Sequence, residues 1–196
     1  PPERQPTNLK PRQRLIGEAE FVPVQNQYGG FVYAGATMAF TTAYWVLGHY
    51  NPREIVFLGC DMSYPKTSKT HFYGTGTADP LREDITLISL EAKAARLYAL
   101  ALAQGCEISN LSKETSRLIA PRRSLSEPRP KPFKIDKVQK AHALAREQEL
   151  AYYVKSGRYW EELERFDIKQ IKRLDALWST VVIAPPQGVA APMRSH

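Results

Sequence analysis

Residues 54–61, EIVFLGCD, decide how the rest of the chain is read. Ile55 to Leu58 form a near-continuous β-branched, aromatic and aliphatic run, the pattern of a strand buried on both faces. The run breaks at Gly59, Cys60 and Asp61 into MSYPKTSKTHFYGTGTADP, residues 62–80, where Tyr64, His71, Tyr73 and a Thr-Gly repeat gather. Parallel sheets bind ligands beyond the carboxyl ends of their strands, so hydrogen-bonding and titratable groups are expected just there.

Working outward, residues 29–52, GGFVYAGATMAFTTAYWVLGHYNP, predict a helix from about Ala34 to Leu47, with stop signals at Gly48, Asn51 and Pro52. Ahead of it, Glu20 to Val24 fits a short strand, Pro23 placing it at a sheet edge or strand end. Downstream, residues 80–105 carry the best helical pattern. Acidic residues lie near its start, Leu87, Leu90, Ala94, Leu97 and Ala101 form its apolar positions, and Gly105 is its stop. CEISNLS, residues 106–112, reads as another strand that ends in polar residues. The order strand, helix, strand, helix, strand predicts an α/β fold around a parallel sheet with right-handed crossovers.

The domain plan is a polar extended segment over 1–19, an α/β core over 20–120, and a basic Pro-rich linker over 121–132. A helical hairpin over 133–180 and a tail over 181–196 follow. The hairpin has one helix through Ile135, Val138, Ala141 and Ala145, a turn at KSGRY, and a second helix through Trp160, Leu163, Ile171, Leu174 and Trp178. It would pack on the sheet or on another subunit of an oligomer.

Lys and Arg total 27 against 20 Asp and Glu, giving a net charge of +7 that favours acidic partners. The basic segments lack aromatic interleaving and a recognised motif, which argues against nucleic acid and for a solvated surface or anionic lipid headgroups. No apolar run approaches the roughly 18 residues of a membrane span, and the start has no signal-peptide core. The expected location is the cytoplasm, with peripheral contact at the inner membrane. Cys60 and Cys106 lie in strand-like runs as reduced, buried thiols; neither a disulfide framework nor a zinc site is indicated.

Each candidate functional residue has a purely structural counterpart reading. Asp61 at a strand end could meet a ligand hydroxyl or cap a local turn. His71 could accept a proton near neutral pH or bond its own loop. Tyr64 and Tyr73 could contact a phosphate, base or sugar, or pack on the sheet. The GTGT stretch suits an anion but lacks the GK[ST] ending of a phosphate loop. Asn110, Ser112, Ser116 and Arg117 form a second polar rim, in which Ser112 could equally cap a helix. Nothing calls for a metal, since there is no D-x-D pair and no His/Cys ligand spacing.

Together, YAGATMAFTTAYWVLGHYNPREIVFLGCDMSY, THFYGTG and GCEISNLSKETSRL resemble bacterial sialyltransferases that decorate lipooligosaccharide. They equally resemble the related domain of motility-associated glycosyltransferases and of a 6-hydroxymethylpterin diphosphokinase. Gly48, Ile55, Gly59, Asp61, His71, Asn110, Ser112, Ser116 and Leu118 fall on the shared pattern, over roughly residues 30 to 120. The resemblance implies a Rossmann-like parallel sheet, half of a sialyltransferase-like fold, and transfer of a sugar from a nucleotide-activated donor to a cell-surface glycan or lipid-linked acceptor. The nucleotide sugar is then a substrate, and no cofactor is implied. In the family's H-x-x-G-H motif His71 takes the first place, while Thr75 stands where the second His acts as base. His71 becomes the candidate base, Asp61 orients the acceptor hydroxyl, and Gly35, Thr37, Tyr64, Tyr73, Thr75, Asn110 and Ser112 would contact substrate. The family's G-x-G-P-S nucleotide turn is not in this sequence, as expected of a carboxy-terminal piece or of a non-catalytic assembly module. Diphosphate transfer to a pterin is a third possibility by kinship.

Overall fold

The computed structural model describes residues 8–62 and 84–183. Its elements are α1 (Glu18–Gln27), α2 (Phe31–Ala34), α3 (Met38–Tyr50), β1 (Glu54–Phe57), α4 (Leu90–Ala103), β2 (Glu107–Asn110), β3 (Lys134–Ile135), α5 (Lys137–Leu150), α6 (Ile168–Ser179) and β4 (Val182–Ile183). β1 and β2 pair in parallel, Glu54 opposite Glu107 and Phe57 opposite Asn110. β3 and β4 pair antiparallel over two residues each.

The expected Rossmann-like parallel sheet is not what forms. Among the described residues there are only these two two-stranded sheets, and the domain is a mixed α/β fold of mostly helical content. The physical reason begins at Glu20 to Val24, which is helix and not strand. Glu18 and Glu20 complement the positive end of α1. Phe21 and Val24, one turn apart, pack on α3: Phe21 stacks on Trp45 at 6.3 Å and on Phe31 at 6.0 Å. Pro23 lies inside α1 on an exposed position, where the loss of one helical donor is tolerated. A five-residue segment that buries two rings' worth of contacts as a helix has nothing left to offer a sheet edge.

Gly48 likewise does not stop α3. A Cβ there would lie 2.6 Å from Val24 Cγ1 and 3.0 Å from Tyr28, so the glycine is the contact that lets α1 approach α3. Asn51, left-handed at φ 45°, closes the helix by donating its N–H to the Leu47 carbonyl, and Pro52 follows. At the end of α4, Gly105 takes φ 77°. Its N–H donates to Leu102 O while that of Cys106 reaches Ala101 O, the paired bonds of a Schellman motif.

α4 is buried nearly all round, from Leu90 to Ala101, and serves two cores. One face meets α3, β1 and β2 through Leu97, Tyr98, Phe40, Leu47, Phe57 and Ile108. The other meets α5 and α6 through Ala92, Ala99, Ala143, Ile171, Leu174 and Trp178. Alanines at the second contact keep the helix axes close, which favours tight packing. Trp160 and Leu163, expected on the second hairpin helix, lie instead in short 3₁₀ turns (Tyr159–Glu161 and Leu163–Arg165) ahead of α6, both exposed.

The second core encloses charge. Arg96 grips Glu147 with two hydrogen bonds, Nε to Oε1 at 2.6 Å and Nη2 to Oε2 at 2.8 Å. It also donates to the Tyr44 hydroxyl and the Tyr28 carbonyl, while Trp178 Nε1 donates to Glu147 Oε1 at 2.7 Å. Burial alone would lower the guanidinium pKa; Glu147 and Tyr44 outweigh it and hold it above its ordinary value. Desolvation pushes the Tyr44 hydroxyl up to about 12. Beside this cluster, Lys93 donates to the Val32 carbonyl at 2.9 Å, with Asp175 at 3.7 Å.

Candidate functional site

Four chain segments meet where β1 and β2 end. The loop leaving β1 and the loop leaving β2 are tied by backbone bonds, Leu111 N–H to Phe57 O and Arg117 N–H to Asp61 O, each 2.8 Å. α4 begins close by: its first-turn Glu91 accepts two bonds from the Arg117 guanidinium, 2.5 and 2.8 Å. That bonding by Arg117 holds the Glu91 carboxyl below its ordinary range. The start of α3 joins from the other side, where Met38 and Ala39 line a shallow groove with Leu58 and Cys60.

The residues predicted to bind divide sharply by what they already do. Asn110, 1% exposed, is spent on its own loop: Oδ1 accepts from Ser112 N at 2.9 Å and Nδ2 donates to Ser116 Oγ at 3.1 Å. Ser112 enters that turn through its backbone and does not cap a helix. Thr37 is the N-cap of α3, accepting from Phe40 N, and its carbonyl receives the Thr41 hydroxyl. Gly35 has no room for a side chain, since a Cβ would fall 2.2 Å from Phe31 O. These four build the edge and do not reach across it.

Asp61 differs. Its Oδ1 is buried and, among the described residues, has no hydrogen-bond partner. A buried acceptor in that state costs free energy until a donor reaches it. Two non-glycine residues with positive φ flank the same edge, Ala36 at 98° and Met62 at 55°. Such backbone strain gathers where a ligand site is held in shape. His71, Tyr64, Tyr73 and Thr75 lie outside the described residues.

Neither a family model nor a curated protein nor a solved structure matches the chain. The chemistry must therefore be read from the edge itself, and nucleophilic catalysis by a thiol is disfavoured there. Burial, with Asp61 adding to it, raises the pKa of the Cys60 thiol, and burial pushes Cys106 up to about 11, so neither is primed as a thiolate. The Glu91–Arg117 pair was missed from sequence. Both halves carried a signal, Arg117 in the polar rim after β2 and an acidic residue in the first turn of the best helix, but no local pattern connects the loop to the helix. Among the described residues no helix is long and apolar enough to cross a membrane.

Proposed function

We propose that the edge beyond β1 and β2 binds a hydroxyl-rich ligand and serves glycosyl transfer from a nucleotide-activated donor to a glycan or lipid-linked acceptor. The carrying observation is the buried Asp61 Oδ1, which has no partner among the described residues and is an acceptor suited to a sugar hydroxyl. In this proposal Asp61 orients the acceptor hydroxyl and His71 removes its proton. The basic flanks hold the chain near an anionic surface. The test is donor consumption with a panel of nucleotide sugars in the presence of glycan acceptors. Asp61→Asn keeps the shape but weakens the acceptor, and should slow turnover by about a hundredfold. Failure of every nucleotide sugar to bind overturns the proposal.

A second reading, a non-catalytic assembly module, is favoured by the outer edge of β1. Arg53 and Phe57 carbonyls turn toward β2, so the backbone groups of Val56 face away from it, and no strand among the described residues pairs there. Leu58 beside it is 71% exposed. An unpaired, apolar edge invites strand addition. Sedimentation of the wild type and of Leu58→Lys separates the readings: a self-associating wild type dispersed by the lysine favours assembly.

A further inference from the structure

At the far end of α4 from that edge lies an open cavity of about 640 Å³, lined by the end of α1, α4, α5 and Tyr153. Glu91 and Gln104 are thirteen residues apart, so roughly 20 Å of helix separates the two places. The volume is that of a small-molecule pocket.

The lining is uncharged in sum. Its only ionised side chains are Arg96 and Glu147, which neutralise each other at the floor through their paired bonds. In a chain carrying 27 basic and 20 acidic residues, such a cavity offers no counter-charge to a phosphate or an ammonium group. Around the lip stand Gln27, Gln104 and Gln148, each able to donate and accept at once. Gln104 Oε1 accepts from the Tyr28 hydroxyl at 2.8 Å, which holds this amide at the lip. Between lip and floor the surface is aromatic and aliphatic: Tyr28, Tyr33, Leu100 and Leu144. Gly29, at φ 88°, keeps this passage open. A Cβ there would press on the Tyr33 ring at 3.0 Å and stand 3.5 Å from Arg96 Nη2.

We propose that this cavity binds a neutral, planar heteroaromatic molecule whose edge carries adjacent donors and acceptors. Tyr rings and Leu side chains cover its faces, and the glutamine amides meet its edge. A primary amide matches a donor–acceptor pair on a ring edge, as it does on adenine. The site is separate from the strand-end edge and does not depend on sugar transfer.

The test uses the full chain, with adenine, adenosine and uracil as probes and maltose as the carbohydrate arm, followed by calorimetry and ligand-observed NMR. Saturable binding of a heteroaromatic probe is expected. Gln104→Ala and Gln148→Ala, both at exposed positions, should each weaken it about fivefold, the worth of one hydrogen bond. Ala103→Trp, on the exposed lip, should weaken it at least tenfold by filling the mouth. Circular dichroism verifies that each variant is folded. Binding of maltose alone, absence of saturation by all three heteroaromatic probes, or binding that the two glutamine variants leave unchanged overturns the proposal.

Discussion

α4 sits between two cores that solve the same packing problem with different chemistry. Toward β1 and β2 the contact is apolar, Leu97 and Tyr98 against Phe57 and Ile108. Toward α5 and α6 it contains Lys93, Arg96, Glu147 and Asp175, all buried. Apolar contact is non-directional and can shift without loss of kind. A buried guanidinium with a bidentate carboxylate fits in one geometry only. The difference teaches that the sheet-side core supplies burial, whereas the helix-side core fixes how α5 and α6 are placed on α4.

The largest way to break that comparison is Glu147→Ala. It strands Arg96 in the interior with the Tyr44 hydroxyl and the Tyr28 carbonyl as its remaining acceptors among the described residues and removes the acceptor for Trp178. A loss of about 3–5 kcal/mol is expected, measured by urea unfolding. The double replacement Arg96→Met with Glu147→Leu should restore most of it, because an apolar pair of similar volume leaves no buried charge unpaired. A single variant that costs under about 1 kcal/mol would mean that water reaches Arg96 and that the core is not charge-specified.

Much of the sheet-side core was legible in the sequence, and the helix-side core was not. EIVF is a strand that sets Ile55 and Phe57 on the core, but Val56 on its other face is 38% exposed, so it is not buried on both faces as expected; EISN pairs with it, Ile108 beside Ile55, and Gly105 ends α4 because the left-handed turn suits it. Glu20 to Val24 was misread because a short run with a proline fits both an edge strand and a helix. The decision came from Trp45 and Gly48, on a different element. Lys93 and Arg96 stand out in an otherwise alanine- and leucine-rich helix, yet their partners lie on α5 and α6, beyond any local pattern. At the candidate edge, the division of labour among side chains was not legible in the sequence. Asn110 and Thr37 are consumed by turns and caps, and among the described candidate residues Asp61 keeps an unused buried oxygen.

A subtler test concerns Asp175, 3% exposed, neither of whose carboxylate oxygens has a hydrogen bond among the described residues. Desolvation raises its pKa, with Lys93 opposing. The sign follows from proton linkage. Below the ordinary carboxylate range both folded and unfolded states hold the proton, and the group contributes nothing to the pH dependence. As pH climbs through that range the unfolded chain ionises first, the folded state binds more protons, and stability falls until the raised folded pKa is passed. Asp175→Asn removes this slope. The urea midpoint of the wild type should therefore decline relative to that of the variant from about pH 4 upward. Parallel curves would show that Asp175 is already paired.

The smallest expected effect probes the two helix starts that border the candidate edge. Ser89 caps α4, accepting from Ala92 N at 3.1 Å, and Thr37 caps α3 by the same kind of bond at 3.3 Å. Replacing either with Ala should cost about 1 kcal/mol, since one orphan N–H at each helix start loses its acceptor. The two should nonetheless differ in consequence. Ser89 stands two residues before Glu91, so fraying of α4 there loosens the Arg117 clamp and with it the turn that carries Arg117 N–H to Asp61 O. Backbone hydrogen exchange at Arg117 should accelerate in Ser89→Ala and stay unchanged in Thr37→Ala. Equal acceleration in both would make the edge a single cooperative unit, and the charged seam of α4 would then be the only part of the helix that is individually specified.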